Sequence, residues 1–237
     1  MHDFNGKVVL VTGAAGNLGL AVAQGFYDAG ARLVLVDLSV ERLRQAYGAW
    51  EAAGRALLLA VDLTRENSVA EMARQTESAY GRVDILANIA GGFLMGPRLH
   101  ETAVNDWEFM IRLNAGSVFL TSRAIIPMML AAGSGKIVSV AARAAREGKA
   151  KMGPYCASKA AVITLTESMA AEYKADHINV NCILPGTIDT PQNREAMPGA
   201  DYSKWVRPGD LANVILFLAS DAAVAVNGAA IPVYGES

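Results

Sequence analysis

The sequence predicts one doubly wound α/β domain spanning residues 1–237, a mostly parallel seven-stranded sheet with helices on both faces. Three observations carry that expectation. Short β-branched apolar runs recur along the chain as continuous rather than alternating stretches, the pattern of strands buried on both faces. Segments with apolar residues at helical spacing separate them, long enough to cross back over a sheet. Polar or glycine-rich turns follow the strands, where such sheets place their ligands.

Lys7–Thr12 is the first apolar run, and a helical pattern follows its glycines through Asp28. Arg32–Val36 repeats the run, and helical residues from Val40 to Ala53 lead to a third at Ala56–Ala60. Arg65–Tyr80 reads as helix before Val83–Ala87. A long helix is expected over Asp106–Leu130, with Pro127 as its kink site. Lys136–Val140 is the next strand, followed by a helix from Pro154 to Ala175 and a strand at Ile178–Leu184. A last helix covers Pro208–Ser220, and Ala229–Val233 suits an edge strand, where Pro232 is tolerated. No linker, repeat or low-complexity segment divides the chain. Pro191–Trp205 is the one long irregular excursion, within a substrate-side stretch at 190–206.

Composition narrows the class of function. With 52% hydrophobic and 19% charged residues the chain can bury a sizeable core. A net charge of −2 gives no electrostatic reason to expect nucleic acid or an anionic membrane. No signal peptide or transmembrane helix is read, since no uninterrupted apolar stretch approaches the length of a membrane span. Cys156 and Cys182 are too few for a disulfide framework, and the three histidines have no ligand spacing, so no metal is expected. A cytoplasmic, reducing location follows.

The polar turns carry the chemistry. Gly13, Ala15, Gly16, Asn17, Leu18 and Gly19 lie where the first strand opens into the first helix. Glycines there let the backbone turn sharply and approach a pyrophosphate, whose charge the helix N–H groups meet. A purely steric strand-to-helix turn would need the same glycines. Asp37 follows the second strand, 24 residues after Gly13. A carboxylate there accepts from ribose hydroxyls and repels a 2′-phosphate, favouring NAD(H) over NADP(H); the alternative is a helix cap, a place Ser39 would fill equally well. Asp62 and Leu63 follow the third strand, within reach of an adenine edge. Asn88, Ala90 and Gly91 follow the fourth, and Pro185, Gly186, Thr187 and Ile188 follow the sixth.

Gly153-Pro154-Tyr155-Cys156-Ala157-Ser158-Lys159 opens the alanine-rich helix. Tyr155 and Lys159 are four apart and share a helix face. An unperturbed tyrosine, with a pKa of about 10, is a poor proton donor near neutrality, and a neighbouring ammonium pulls that value down. The pair alone would also suit an ordinary half-buried helix.

As a set, these motifs resemble the short-chain dehydrogenase/reductase family over nearly the whole chain: Thr12–Gly19, Asp62, Asn88-x-Ala90-Gly91, Asn114, Tyr155-x-x-x-Lys159 and Pro185-Gly186-x-x-x-Thr190. The resemblance implies a Rossmann-type fold and hydride transfer between a nicotinamide and a small carbonyl, imine or alcohol. By the same resemblance Tyr155 is the general acid/base, and Lys159 lowers its pKa and holds the nicotinamide ribose. Asn114 supports a water relay, while Thr187 and Ile188 contact the nicotinamide amide. Family members are often tetramers or dimers, and small-residue faces on the 154–175 and 208–220 helices fit subunit packing, so a homo-oligomer is expected.

One position departs from the family. The serine usually found thirteen residues before the tyrosine is here Ala142, and Ser139 lies an odd number of strand positions away, on the opposite face. Losing a positioned donor at a developing oxyanion costs roughly 3 kcal/mol. Either the substrate needs little activation, another group donates, or the chain binds a dinucleotide without turnover. A narrower resemblance, to the dihydropteridine reductase branch, rests on Ala90–Phe93, Ala141–Gly148, Leu184-Pro185 and stretches between Thr187 and Trp205. That branch also lacks the serine, and the resemblance implies an already electrophilic quinonoid dihydropterin substrate. Phe93, Met95, Ala142, Met152 and Gln192 are the candidate substrate-pocket residues.

Overall fold

The apolar runs become strands β1 (Val8–Thr12), β2 (Arg32–Asp37), β3 (Ala56–Ala60), β4 (Ile85–Asn88), β5 (Gly135–Val140), β6 (Ile178–Pro185) and β7 (Ala230–Val233) in a computed structural model describing residues 2–236. They form one sheet in the order β3-β2-β1-β4-β5-β6-β7. Every pairing is parallel, so the sheet is wholly rather than mostly parallel. β7 is an edge strand as expected, and Pro232 sits there opposite Leu184.

Strand order reverses between β1 and β4, whose carboxyl ends meet at the pair Thr12 and Asn88. A crevice opens at such a switch point because the crossovers on either side leave in opposite directions. Alternate residues of each strand feed two cores. Val9 and Val11 face α1 (Asn17–Asp28), α2 (Val40–Ala52) and α9 (Pro208–Ala219), where Phe26, Leu43 and Ile215 are fully buried. Leu10 faces α3 (Glu66–Tyr80), α5 (Ser117–Ala132) and α7 (Gly153–Tyr173), packing with Met72, Ile125 and Met169.

Two expected features differ. The helix expected over Asp106–Leu130 runs from Val104 to Ala132, and its irregularity is not at Pro127. α4 (Val104–Met110) passes into a π-helical segment, Ile111–Gly116, before α5 begins. Pro127 remains inside α5 without ending it. The wider turn is set by the contacts of Asn114 described below, which no local propensity encodes. The excursion over Pro191–Trp205 is also less irregular than expected. It holds α8 (Pro191–Ala196), capped by Thr190 with Pro191 in the first turn, and a single helical turn at Tyr202–Lys204. α6 (Ala144–Glu147) is one short turn after β5.

The joined run Val104–Ala132 is long and apolar enough to cross a membrane by length and composition, although Asp106, Glu108, Arg112, Arg123 and Pro127 interrupt it, so the expectation of no uninterrupted apolar span stands. It is spent on the sheet instead: Asn114, Ser117, Thr121 and Ser122 are buried, and Val118, Ile125 and Met129 pack into the cores. Those buried polar groups have partners inside the protein that lipid would not supply.

Candidate active site

β1 ends at Thr12, and Gly13 turns the chain with φ +64°. A Cβ on Gly13 would lie 2.8 Å from the Ala90 Cα, so only glycine lets the two strand-end turns touch. A Cβ on Gly19 would collide with the Gly13 carbonyl and sit 2.8 Å from the Ala14 Cα, which fixes how closely α1 approaches the turn. Gly16 caps α1 without any side-chain acceptor. The N–H groups of Asn17, Leu18 and Gly19, at the first helical positions, therefore have no cap and suit an anion. Thr12 ties this turn to the next, its Oγ1 accepting from both the Ile89 and Ala90 N–H groups at 3.1 Å.

Asp37 stands at the end of β2. Its oxygens accept from the Ala15 N–H at 3.1 Å and the Leu38 N–H at 2.9 Å. The alternative capping role falls to Ser39, whose Oγ accepts from the Arg42 N–H. Arg42 reaches back, 3.7 Å from the Asp37 carboxylate and donating to the Ala15 carbonyl at 2.7 Å. Asp62 is held by its own turn: Oδ1 accepts from the Thr64 N–H and hydroxyl, which keeps its pKa below the usual range. Leu63 beside it is buried. Asn88 is a buried brace, its Oδ1 accepting from the Thr121 hydroxyl at 2.7 Å and its Nδ2 donating toward Ser139 at 3.3 Å. The glycine turn, Asp37, the Asn88–Gly91 turn and the segment after β6 all lie at strand carboxyl ends, and this cradle fits a dinucleotide.

The second cluster forms where α7 meets the π-helical segment. Lys159 is buried, and its ammonium donates to the Val140 carbonyl at the end of β5, 2.8 Å away. Asn114 Oδ1 accepts from the Gly92 N–H at 2.9 Å. Its Nδ2 donates to the Gly92 carbonyl and to Ser158 Oγ. Ser158 in turn donates to the Tyr155 carbonyl at 2.7 Å. A Cβ on Gly91 would lie 2.7 Å from Asn114 Oδ1 and 2.9 Å from Lys159 Nζ, so this glycine seats both groups. Phe93 packs edge-on against the Tyr155 ring, centroids 5.0 Å apart. The elements thus bring Gly91, Phe93, Asn114, Tyr155 and Lys159 together.

The electrostatics differ from the expectation in one respect. Burial pushes the Tyr155 phenol up to about 12, and Lys159 is not among the groups that perturb it. Burial likewise brings the Lys159 ammonium down to about 8. In the free chain the lysine serves the Val140 carbonyl rather than the phenol.

Ala142 is buried just past β5, and Ser139 is wholly buried on Asn88, so neither offers a hydroxyl to a ligand. Met95 is exposed and Met152 half-buried; they flank a backbone bond from the Gly96 N–H to the Lys151 carbonyl at 2.9 Å. Gln192, on α8, accepts from Asn17 Nδ2 at 2.8 Å and so meets the glycine turn. After β6, the Gly186 N–H bonds Val233, the Thr187 carbonyl accepts from Val206, and the Ile188 carbonyl accepts from Asn193. Sequence reasoning gave no role to Gly92 and Ser158, which hold Asn114, or to Arg42 beside Asp37. Thr12 opens the Thr12–Gly19 motif, but its bonds to the Ile89 and Ala90 N–H groups had no signal in the sequence.

The profile of the family described as short chain dehydrogenase matches residues 7–200. The chain belongs to the short-chain dehydrogenase/reductase family. A cis-4-hydroxycyclohexanecarboxylate dehydrogenase from Sinomonas cyclohexanicum is 36% identical, over 98% of this chain and 96% of that one. A gluconate 5-dehydrogenase from Burkholderia cenocepacia, solved with NADP and tartrate, superimposes with a TM-score of 0.91 at 29% identity, covering 98% of this chain and 95% of that one. A 7α-hydroxysteroid dehydrogenase solved with NADH and 7-oxo glycochenodeoxycholic acid gives a TM-score of 0.88 at 31% identity, covering 99% and 95%. These relatives are dehydrogenases of hydroxyl compounds, and between them they bind both nicotinamide dinucleotides.

Proposed function

We propose that this protein is an NAD(H)-dependent oxidoreductase of small alcohols and their ketones, with Tyr155 as general acid/base. The observation that carries the reading is the convergence of Gly91, Asn114 and Lys159 beside Tyr155, at the rim where the glycine turn also opens. Gly13–Gly19, Asp37, Asp62, Leu63, Asn88–Gly91, Pro185–Ile188, Tyr155 and Lys159 would hold the dinucleotide. When bound, its nicotinamide supplies or accepts the hydride and, when oxidised, adds a positive charge.

The side chains manage the proton. The Tyr155 hydroxyl donates to the substrate oxygen in reduction and recovers that proton in oxidation. Because burial holds the free phenol near 12, charge arriving with the ligands is needed to bring it toward neutrality. Asn114, fixed by Gly92 and Ser158, keeps the π-helical turn open beside Lys159. Preference for NAD(H) rests on Asp37, whose carboxylate the Ala15 and Leu38 N–H groups hold at the end of β2 while Ser39 takes the helix cap, so that its remaining lone pairs face a ribose.

Ala142 supports a second reading, a substrate that needs no polarising hydroxyl, such as a quinonoid dihydropterin. Initial rates with NAD(H) on a panel of alcohols, ketones and a quinonoid dihydropterin separate the two, wild type beside Ala142→Ser. Ketone reduction that rises about 10- to 100-fold with the added hydroxyl supports the first reading. Fast pterin reduction that the serine does not improve would replace it with the second. NADH binding without turnover of any substrate would instead favour a non-catalytic dinucleotide-binding protein.

A further inference from the structure

The turn in front of Tyr155 holds a residue in an unusual backbone state. Lys151 has φ +63°, one of two non-glycine residues with positive φ among those described. An L residue pays roughly 1 kcal/mol or more for that region, so it persists only where surrounding structure imposes it. Two backbone bonds hold this turn, from the Met152 N–H to the Lys149 carbonyl and from the Gly96 N–H to the Lys151 carbonyl, and the second clips the loop bearing Phe93 and Met95 to the turn before α7.

That clip ties Lys151, four residues before Tyr155, to the loop whose Phe93 packs on the Tyr155 ring. The Lys151 side chain is exposed, and no ion pair or hydrogen bond to its ammonium is found among the described residues. The nearby acid is already engaged, because Glu147 pairs with Arg143 and with Lys149 at 2.8 Å each. Residues 143–151 carry Arg143, Arg146, Lys149 and Lys151 against Glu147, four minus one or +3, in a chain whose net charge is −2. After β6, the charged pair Asp189 and Arg194 is closed on itself at 2.6 Å. The loop on the other side of the clip exposes apolar side chains beside Arg98: Phe93 and Leu99 are both more than half exposed. Leu99 lies over Gly153, its Cδ1 3.5 Å from where a Cβ would stand.

We infer that Lys151 anchors an anionic group of the substrate, so that the substrate is a hydroxy or keto compound with an apolar body and a carboxylate or similar oxyanion. The apolar body lies against Phe93 and Leu99 with its reacting carbon at Tyr155, and the anion reaches the ammonium of Lys151 in the turn before α7. This rests on the reading of Tyr155 as acid/base, whose failure a binding experiment keeps separate.

The probes are benzoate and benzamide, alike in shape and different in charge, bound to the NADH-loaded protein and followed by calorimetry. Lys151→Asn removes the charge while keeping a residue that tolerates positive φ, and Lys151→Arg restores it. Wild type is expected to bind benzoate at least about tenfold more tightly than benzamide, the size of a charge-assisted hydrogen bond. Lys151→Asn should erase that preference with benzamide binding unchanged, and Lys151→Arg should keep it. Equal binding of the two probes, no binding of either, or a preference that survives Lys151→Asn overturns the inference. A preference lost in Lys151→Asn, in a protein that turns over no alcohol or ketone, upholds the anion site and overturns the oxidoreductase reading. Turnover of uncharged alcohols without any benzoate preference does the reverse.

Discussion

Replacing Gly91 by alanine should disable the site without unfolding the protein. The added methyl would stand 2.7 Å from Asn114 Oδ1 and 2.9 Å from Lys159 Nζ, closer than carbon approaches either atom, so both must move. Lys159 then leaves the Val140 carbonyl, and Asn114 leaves the Gly92 N–H. A buried hydrogen bond from a charged donor contributes about 1.5–3 kcal/mol and a neutral one about 0.5–1.5, so the loss of stability should be about 2–4 kcal/mol. Displacing catalytic groups by about an ångström costs roughly 100-fold, and kcat/KM should fall by at least that much. Gly48→Ala is the control: it lies inside α2 with nothing within 4 Å of its Cβ, and alanine there should be neutral or stabilising by up to about 1 kcal/mol. Urea unfolding and NAD(H)-linked rates on the three proteins decide the matter. A Gly91→Ala protein with wild-type stability and a rate within threefold would refute the idea that this glycine seats both groups.

Two further outcomes follow from the charges. Asp37→Ala should reduce the preference for NAD over NADP by about tenfold or more, because it removes a carboxylate that repels a 2′-phosphate and frees Arg42, 3.7 Å away, to meet it; an unchanged ratio of kcat/KM values would show that Asp37 does not read the ribose. Lys159 has a folded pKa of about 8, below its unfolded value of about 10.4, so folding is penalised while the unfolded chain holds that proton and the penalty fades as pH rises between those values. Urea unfolding without cofactor should therefore show wild type gaining about 1–3 kcal/mol on Lys159→Met from pH 8 to 10, and a constant difference would mean the ammonium is not desolvated.

The sheet was readable because its strands are unbroken apolar runs such as Val8–Val11 and Leu33–Val36, each buried on both faces. The glycine turn was readable because Gly13 needs positive φ and Gly19 has no room for a side chain, constraints that sequence records directly. The π-helical segment at Ile111–Gly116 was not, since it depends on Asn114 reaching Gly92 and Ser158, residues 22 and 44 positions away. Pro127 looked like the weak point, yet α5 absorbs it. α8 was missed although Thr190-Pro191 is a cap followed by a first-turn proline, a local signal outweighed by the surrounding prolines and glycine. The bond between Asn17 and Gln192 joins positions 175 apart, and no spacing rule reaches that far. The high phenol pKa was also hidden, because it follows from burial of the ring and not from the four-residue spacing to Lys159.

The central claim is that Tyr155 moves the proton while the surrounding rim holds the dinucleotide. The most direct measurement compares Tyr155→Phe with wild type, following NADH absorbance for turnover and NADH fluorescence for binding. Loss of one hydroxyl should lower kcat by about 10²- to 10⁴-fold while leaving NADH affinity within a few-fold. A Tyr155→Phe protein that turns over within tenfold of wild type would contradict the claim, and the proton would have to pass through another group.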